Sequence, residues 1–259
     1  MYKTSSFIIL TAVSILIAAL YWTCNNPVSP AILAGITKDY MPEIKNKQMD
    51  VIYSGAATQY DTSGNVEYQT QVVDTQSVCY FGGDTTVNFI SGIPIYTYDY
   101  SHRPMFACMY KYNSGELWGI DKKTNIMIKI LPAGLILNKE WDNHINASEA
   151  GTIHFKVADK LNNYVNAEGN SYNDVIDLQV SYEESTSSLY DGYSYSLYSY
   201  DSTSYVYNIY LAKNIGPVGA KLYELRLSYQ IITDTTSKAR RYSGYDNSTF
   251  KGDIIIKMH

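Results

Sequence analysis

Residues 204–232, SYVYNIYLAKNIGPVGAKLYELRLSYQII, read as two strands on either side of a sharp break. Tyr205 and Tyr207 recur at period two, so in an extended chain both side chains stand on one face. Residues 204–213 and 222–232 have the length and the Tyr, Ile and Leu content of strands. Gly216-Pro217 interrupts them. The same pattern spreads in both directions. Short period-two runs occupy residues 50–54, 66–73, 85–90, 93–100, 105–112, 116–120, 125–131, 152–158, 172–182 and 253–258. Turn signals separate several of them: residues 61–65, Asn113-Ser114-Gly115, and an Ala-Glu-Gly-Asn turn at 167–170. Amphipathic helices are scarce, and residues 139–150 are the best candidate. The expectation is an all-β, mainly antiparallel fold: a curved sheet, half-barrel or sandwich with few short helices.

Composition supports that expectation. Apolar residues make up 46% of the 259, a globular fraction. Only 17% are charged, so the wet surface is built instead from Ser, Thr, Asn and 27 Tyr. A net charge of −5 does not resemble the basic footprint of a nucleic-acid binder.

The first residues indicate export. Lys3 precedes an apolar run from Phe7 to Leu20, the order of a secretory signal. The run is short for a membrane span. Cys24 follows, then Asn25, Asn26 and Pro27, as at the lipidation site of bacterial lipoproteins. Tyr21, Trp22 and Thr23 depart from the small residues that usually precede such a cysteine, and cleavage near Ala19 or an uncleaved anchor are the alternatives. The expected organisation is a signal peptide over 1–23, a tether over 24–45 containing Pro27, Pro30 and Pro42, and a β-rich domain over 46–259. Export also permits a disulfide between Cys79 and Cys108, each in a strand-like segment; two buried thiols are the other reading.

Residues 182–210 are Tyr-rich, with period-two pairs at Tyr193/Tyr195, Tyr198/Tyr200 and Tyr205/Tyr207. A long hairpin whose rings cover a sheet accounts for them. An exposed interaction surface also does, because Tyr offers a large contact area at small entropic cost.

No catalytic set stands out. The four His (His102, His144, His154, His259) are scattered, and no P-loop, dinucleotide fingerprint or Gly-x-Ser-x-Gly elbow occurs. Glu116, Asp121, Glu140 and Asp142 are carboxylates of the type glycoside hydrolysis uses, but that chemistry needs two of them across a sugar. No catalytic residue, metal ligand or cofactor is therefore assigned.

Four segments, in order, resemble uncharacterised bacterial (Bacteroidetes-type) secreted lipoproteins. They are Asp39-Tyr40-Met41-Pro42; Leu131-Pro132-Ala133-Gly134-Leu135 through Glu140-Trp141; Val165-Asn166-Ala167-Glu168-Gly169-Asn170-Ser171-Tyr172 with Val175; and Tyr210-Leu211-Ala212-Lys213-Asn214-Ile215-Gly216-Pro217-Val218. The family's hairpin proline is absent from 165–172, and its early Trp is replaced near Met49. The resemblance implies a curved antiparallel sheet like the half-barrel of periplasmic lipoprotein carriers, and no catalytic residues. The functional expectation is an exported envelope lipoprotein in the periplasm, at the outer membrane or cell surface, binding an apolar ligand or an envelope protein without catalysis. A surface structural or adhesive role for residues 182–210 is the alternative, and a hydrolase is third.

Overall fold

Period-two alternation becomes fifteen described strands in the computed structural model, which describes residues 32–87, 90–98, 104–120, 127–144 and 152–259. Its strands are β1 (Leu33–Ile36), β2 (Lys47–Tyr60), β3 (Val66–Phe81), β4 (Thr85–Val87), β5 (Ile90–Tyr98), β6 (Pro104–Asn113), β7 (Glu116–Ile120) and β8 (Met127–Leu131). They continue with β9 (Gly134–Ile136), β10 (Glu140–His144), β11 (Thr152–Val165), β12 (Ser171–Asp191), β13 (Tyr195–Ala212), β14 (Gly216–Asp234) and β15 (Arg240–Met258). One short helix, α1 (Thr37–Tyr40), follows β1.

Thirteen strands form a single antiparallel sheet in the order β10-β11-β12-β13-β14-β15-β2-β3-β5-β6-β7-β8, with β4 beside β5. Most neighbours are hairpins, as expected where turn chemistry is explicit. Between β6 and β7, Ser114 and Gly115 both take positive φ, 52° and 84°, the two-residue turn whose twist suits a hairpin. Between β2 and β3, Asp61 accepts the N–H groups of Ser63 and Asn65 at 2.8 and 2.9 Å.

The sheet curls until its two outer strands meet, giving a nearly closed antiparallel half-barrel. No backbone ladder joins β8 and β10 among the described residues; side chains bridge them. The Asn143 amide accepts the Lys129 N–H at 3.2 Å and donates to the Lys129 carbonyl at 2.9 Å. Trp141 Nε1 donates to the same carbonyl at 3.1 Å. An edge peptide that would otherwise stay open is thus satisfied.

Inside the curl lies an apolar cluster that includes Phe81, Ile93, Leu117, Leu131, Val157, Ile176, Leu178 and Leu211. It continues along the same face through Val51, Ala220, Leu222 and Ile254, with Tyr205 and Tyr207 packed against them. A separate cluster of Val175, Tyr210, Ala212 and Val218 sits on the opposite face, where Tyr164 stacks on Tyr210 at 4.0 Å.

Two sequence expectations need correction. Residues 140–144 are strand β10 rather than helix: Trp141 pairs with Phe155, and their rings stack 5.4 Å apart. Residues 145–150 lie outside the described residues. The end of the expected tether also belongs to the folded unit, which begins at Leu33. β1 pairs with β9, and Tyr40 and Ile44 are buried in the interior cluster. Tyrosine hydroxyls make this possible for a segment without periodicity, because they satisfy its backbone. Tyr110 OH accepts the Ile44 N–H at 3.0 Å and donates to the Ile44 carbonyl at 2.7 Å. Tyr112 OH donates to the Met41 carbonyl.

The plug is pinned by charge as well. Tyr40 OH donates to Asp174 Oδ1 at 2.6 Å, and Lys160 Nζ lies 3.0 Å from the same carboxylate. These contacts, Tyr40 first, hold the Asp174 carboxyl below its ordinary range. A depressed native pKa contributes stability above the unfolded value, near 3.8, and loses it as pH falls through the native value. Asp174 has φ 53°, which Asn also tolerates. Asp174→Asn is expected to cost about 1 kcal/mol at pH 7 and much less near pH 3, read from urea midpoints across pH. At the seam, Asn143→Ala is expected to speed hydrogen exchange of the Lys129 amide and to lower stability by about 1–3 kcal/mol. Unchanged exchange at Lys129 would show that the amide bridge does not close the sheet.

Candidate functional site

The long strands outrun the half-barrel. β11 pairs with β12 only as far as Glu183, and β2 pairs with β15 only from Ser248 onward. Beyond those points β12, β13, β14 and β15 continue as a four-stranded extension ending in the 192–194 and 235–239 turns.

Register separates its two faces. On one, Leu189, Tyr198, Ile231 and Tyr242 form a cross-strand row, and Ser187, Tyr200, Tyr229 and Tyr245 form the next. A third row is Ser185, Ser202, Leu227 and Asn247. None of the twelve positions is charged. Charges appear only beyond them: Glu183 on the barrel side, Asp191 and Arg240 at the tip. The opposite face carries Glu184, Asp201, Arg226 and Asp246, and near its tip a row of Tyr190, Leu197, Ile232 and Arg241.

Aromatic contacts knit the uncharged face. Tyr229 lies 6.1 Å from Tyr198, 5.1 Å from Tyr200 and 6.2 Å from Tyr242, and Tyr242 lies 5.7 Å from Tyr245. Spacings of this kind add stability beyond area burial. Leu189 is nevertheless 64% exposed and Tyr242 55%.

The six candidate tyrosines do not share one surface. Tyr198 and Tyr200 stand on the uncharged face. Tyr205 and Tyr207 stand on the other side of β13, turned into the interior cluster, where burial pushes the Tyr207 hydroxyl up to about 12. Tyr195 contacts Tyr190 at 6.2 Å, and Tyr193 sits fully exposed in the connecting turn. An odd spacing between the second and third pairs, 200 to 205, already places them on opposite faces of a regular strand. Leu225, Leu227, Tyr229 and Ile231 are the partners that sequence reasoning left out; their strict alternation in β14 is the signal that marks them.

A groove of about 660 Å³ opens where the extension leaves the half-barrel. Backbone of Gly55 and Gly252, paired across β2 and β15, contributes to its lining. Asn208, Lys221, Tyr223, Lys251 and Asp253 rise around it. Beside it Asp177, held by the Asn208 amide at 3.0 and 3.2 Å, has its carboxyl raised by burial. The charge of Asp159, its cross-strand partner, adds to that rise, and Lys221 opposes it.

The other candidates are dispersed. Cys24, His102 and Asp121 lie outside the described residues. Cys79 on β3 and Cys108 on β6 are separated by β5, where Thr97 and Ile95 are their respective partners. Strands two apart are about 10 Å away, farther than the Cα separation of about 7 Å that a disulfide spans. The structure does not bring them together. Glu116 pairs with Lys129 at 2.8 Å, Glu140 with Lys156 at 2.9 Å, and Asp142 with His154 at 2.7 Å, each carboxylate with a different partner. His259 lies 3.1 Å from Asp50. No group of three or more metal-ligating side chains occurs among the described residues.

The outer wall from β11 to β15 carries Lys156, Gln179, Lys221, Lys251 and Asp253, alternating with the inward apolar residues.

No protein-family model matches the chain, and neither a curated protein nor a solved structure was found similar to it. The half-barrel agrees with the architecture that the lipoprotein resemblance implies.

The glycine pair is the part of the groove most open to attack. A Cβ on Gly55 would lie 2.4 Å from the Lys251 carbonyl oxygen and 2.5 Å from Gly252 Cα. Gly55→Val is expected to cost about 1–3 kcal/mol, while Ala56→Val on the same strand costs less. Thermal midpoints of the two variants measure the difference.

Proposed function

We propose that the protein is an exported, lipid-anchored and non-catalytic binding protein of a bacterial envelope, and that its four-stranded extension is the binding element. Lys3, the apolar run and Cys24 support export and anchoring. The observation that carries the binding role is the uncharged Tyr, Leu and Ile face of the extension, which has no covering layer among the described residues. A sheet that is apolar on one face ordinarily buries it against a second layer. Exposed aromatic patches rimmed by polar groups mark protein interfaces.

Binding of an apolar ligand within the curl is less well supported, because that space is occupied. Leu135, Val157 and Ile176 are 0% exposed there, and Tyr40 is 1% exposed. The groove at Gly55 and Gly252 is the better place for a small ligand.

Two measurements test this reading. Cys24→Ser should move the protein from the membrane fraction to the soluble fraction of its host. A photoreactive residue at Tyr242, on the uncharged face, should form protein adducts in intact cells that the same probe at Ser188, on the opposite face, does not. Equal adducts from both positions, or none, would remove the basis for a face-specific binding element.

A further inference from the structure

The uncharged face also indicates what covers it. We infer that the partner is a second copy of this chain, packed face to face on the extension so that two four-stranded sheets form a sandwich; this rests on reading the extension as the binding element. Two observations support the choice and a third sets its strength.

The first is charge. The three rows from Ser185 to Asn247 hold no ionised side chain. A surface that meets its own copy about a twofold axis must be self-complementary, and any charge near the axis would face its like. The hydroxyls of Tyr198, Tyr200, Tyr229, Tyr242 and Tyr245 both donate and accept, so identical faces can bond to each other.

The second is layout. Aromatic and aliphatic side chains fill the middle of the face. Glu183, Asp191 and Arg240 stand at its ends, the arrangement of an interface core with a polar rim. The half-barrel interior lies behind the opposite side of the same strands, since Tyr205 and Tyr207 turn into it. Stacking two uncharged faces therefore leaves both half-barrels on the outside of the pair.

The third is area. Four strands at about 4.8 Å and the five residues per strand that the three rows span, at about 3.3 Å each, give a face of about 320 Å² per copy and about 640 Å² for the pair. That is under the total of about 1,000 Å² that a stable specific interface buries. The dimer is thus expected to be weak and concentration-dependent, with a dissociation constant in the micromolar range or above. Sheets packed in this way lie about 10 Å apart, close enough for the rings to interdigitate.

The test is sedimentation equilibrium of the exported full chain carrying Cys24→Ser, between about 1 µM and about 1 mM. The expected result is a monomer–dimer equilibrium that Leu189→Asp with Tyr242→Asp weakens about 10-fold or more, and that Ser188→Asp with Gln230→Asp leaves unchanged. The control pair lies on the opposite face of the same extension. If the aspartates unfold the extension, as thermal midpoints report, Leu189→Ser with Tyr242→Ser replaces them. A monomer throughout the range, or a dimer equally sensitive to both pairs, overturns the inference. In that event, persistent Tyr242 adducts to a different protein would leave the binding role standing, and their absence would remove it too.

Discussion

The Asn143 amide stands where a peptide group of another strand would otherwise have to be. It both accepts from and donates to Lys129, as a backbone neighbour would. Closure by one side chain, helped by Trp141, gives the sheet an inside and an outside. Once that distinction exists, alternate residues have different fates. Val157 and Ile176 become interior, Lys156 and Gln179 become surface, and the 33–45 segment has a space to enter. The interior is then sealed by hydroxyl groups as much as by aliphatic carbon: Tyr40, Tyr110 and Tyr112 each bury a ring and satisfy a polar partner.

Beyond the rim the constraint lapses. The strands of the extension have no enclosed side, so nothing in the closed sheet requires one face to be apolar. The face continuous with the outer wall nonetheless carries Leu225, Leu227, Tyr229 and Ile231 in succession on β14, and the face continuous with the interior takes on Glu184, Asp201, Arg226 and Asp246. This is an inversion of the pattern in the half-barrel, on the same strand and without a break in register between Leu222 and Gln230. Packing among the described residues does not require it.

Much of the architecture was legible because strands and turns leave local marks. The hairpin at Asn113-Ser114-Gly115 appears where the residues indicate it, while the break expected at Gly216-Pro217 falls at 213–215, with Gly216 and Pro217 opening β14. Residues 140–144 misled because a short segment with Trp141 and Asn143 carries no strand alternation; its state is decided by Phe155 and Lys129, distant in the chain. Residues 33–45 misled for the reason that Pro42 and the lack of a period suggest solvent, while hydroxyls contributed from β6 make burial tolerable. The tyrosines were noticed but grouped wrongly. The odd step from Tyr200 to Tyr205 separates the second and third pairs, and facing neighbours on β14 and β15 decide which side is a surface.

The place of β15 in the sheet has a consequence for biogenesis. The last strand of the chain lies between β14 and β2, joining the first half of the sheet to the second. Until residues 240–258 are available, β2 and β14 each lack a neighbour and the ring cannot be completed. Contacts this distant in sequence form late and slowly. A chain of this design stays incompletely folded until residues 240–258 can take their place between β14 and β2.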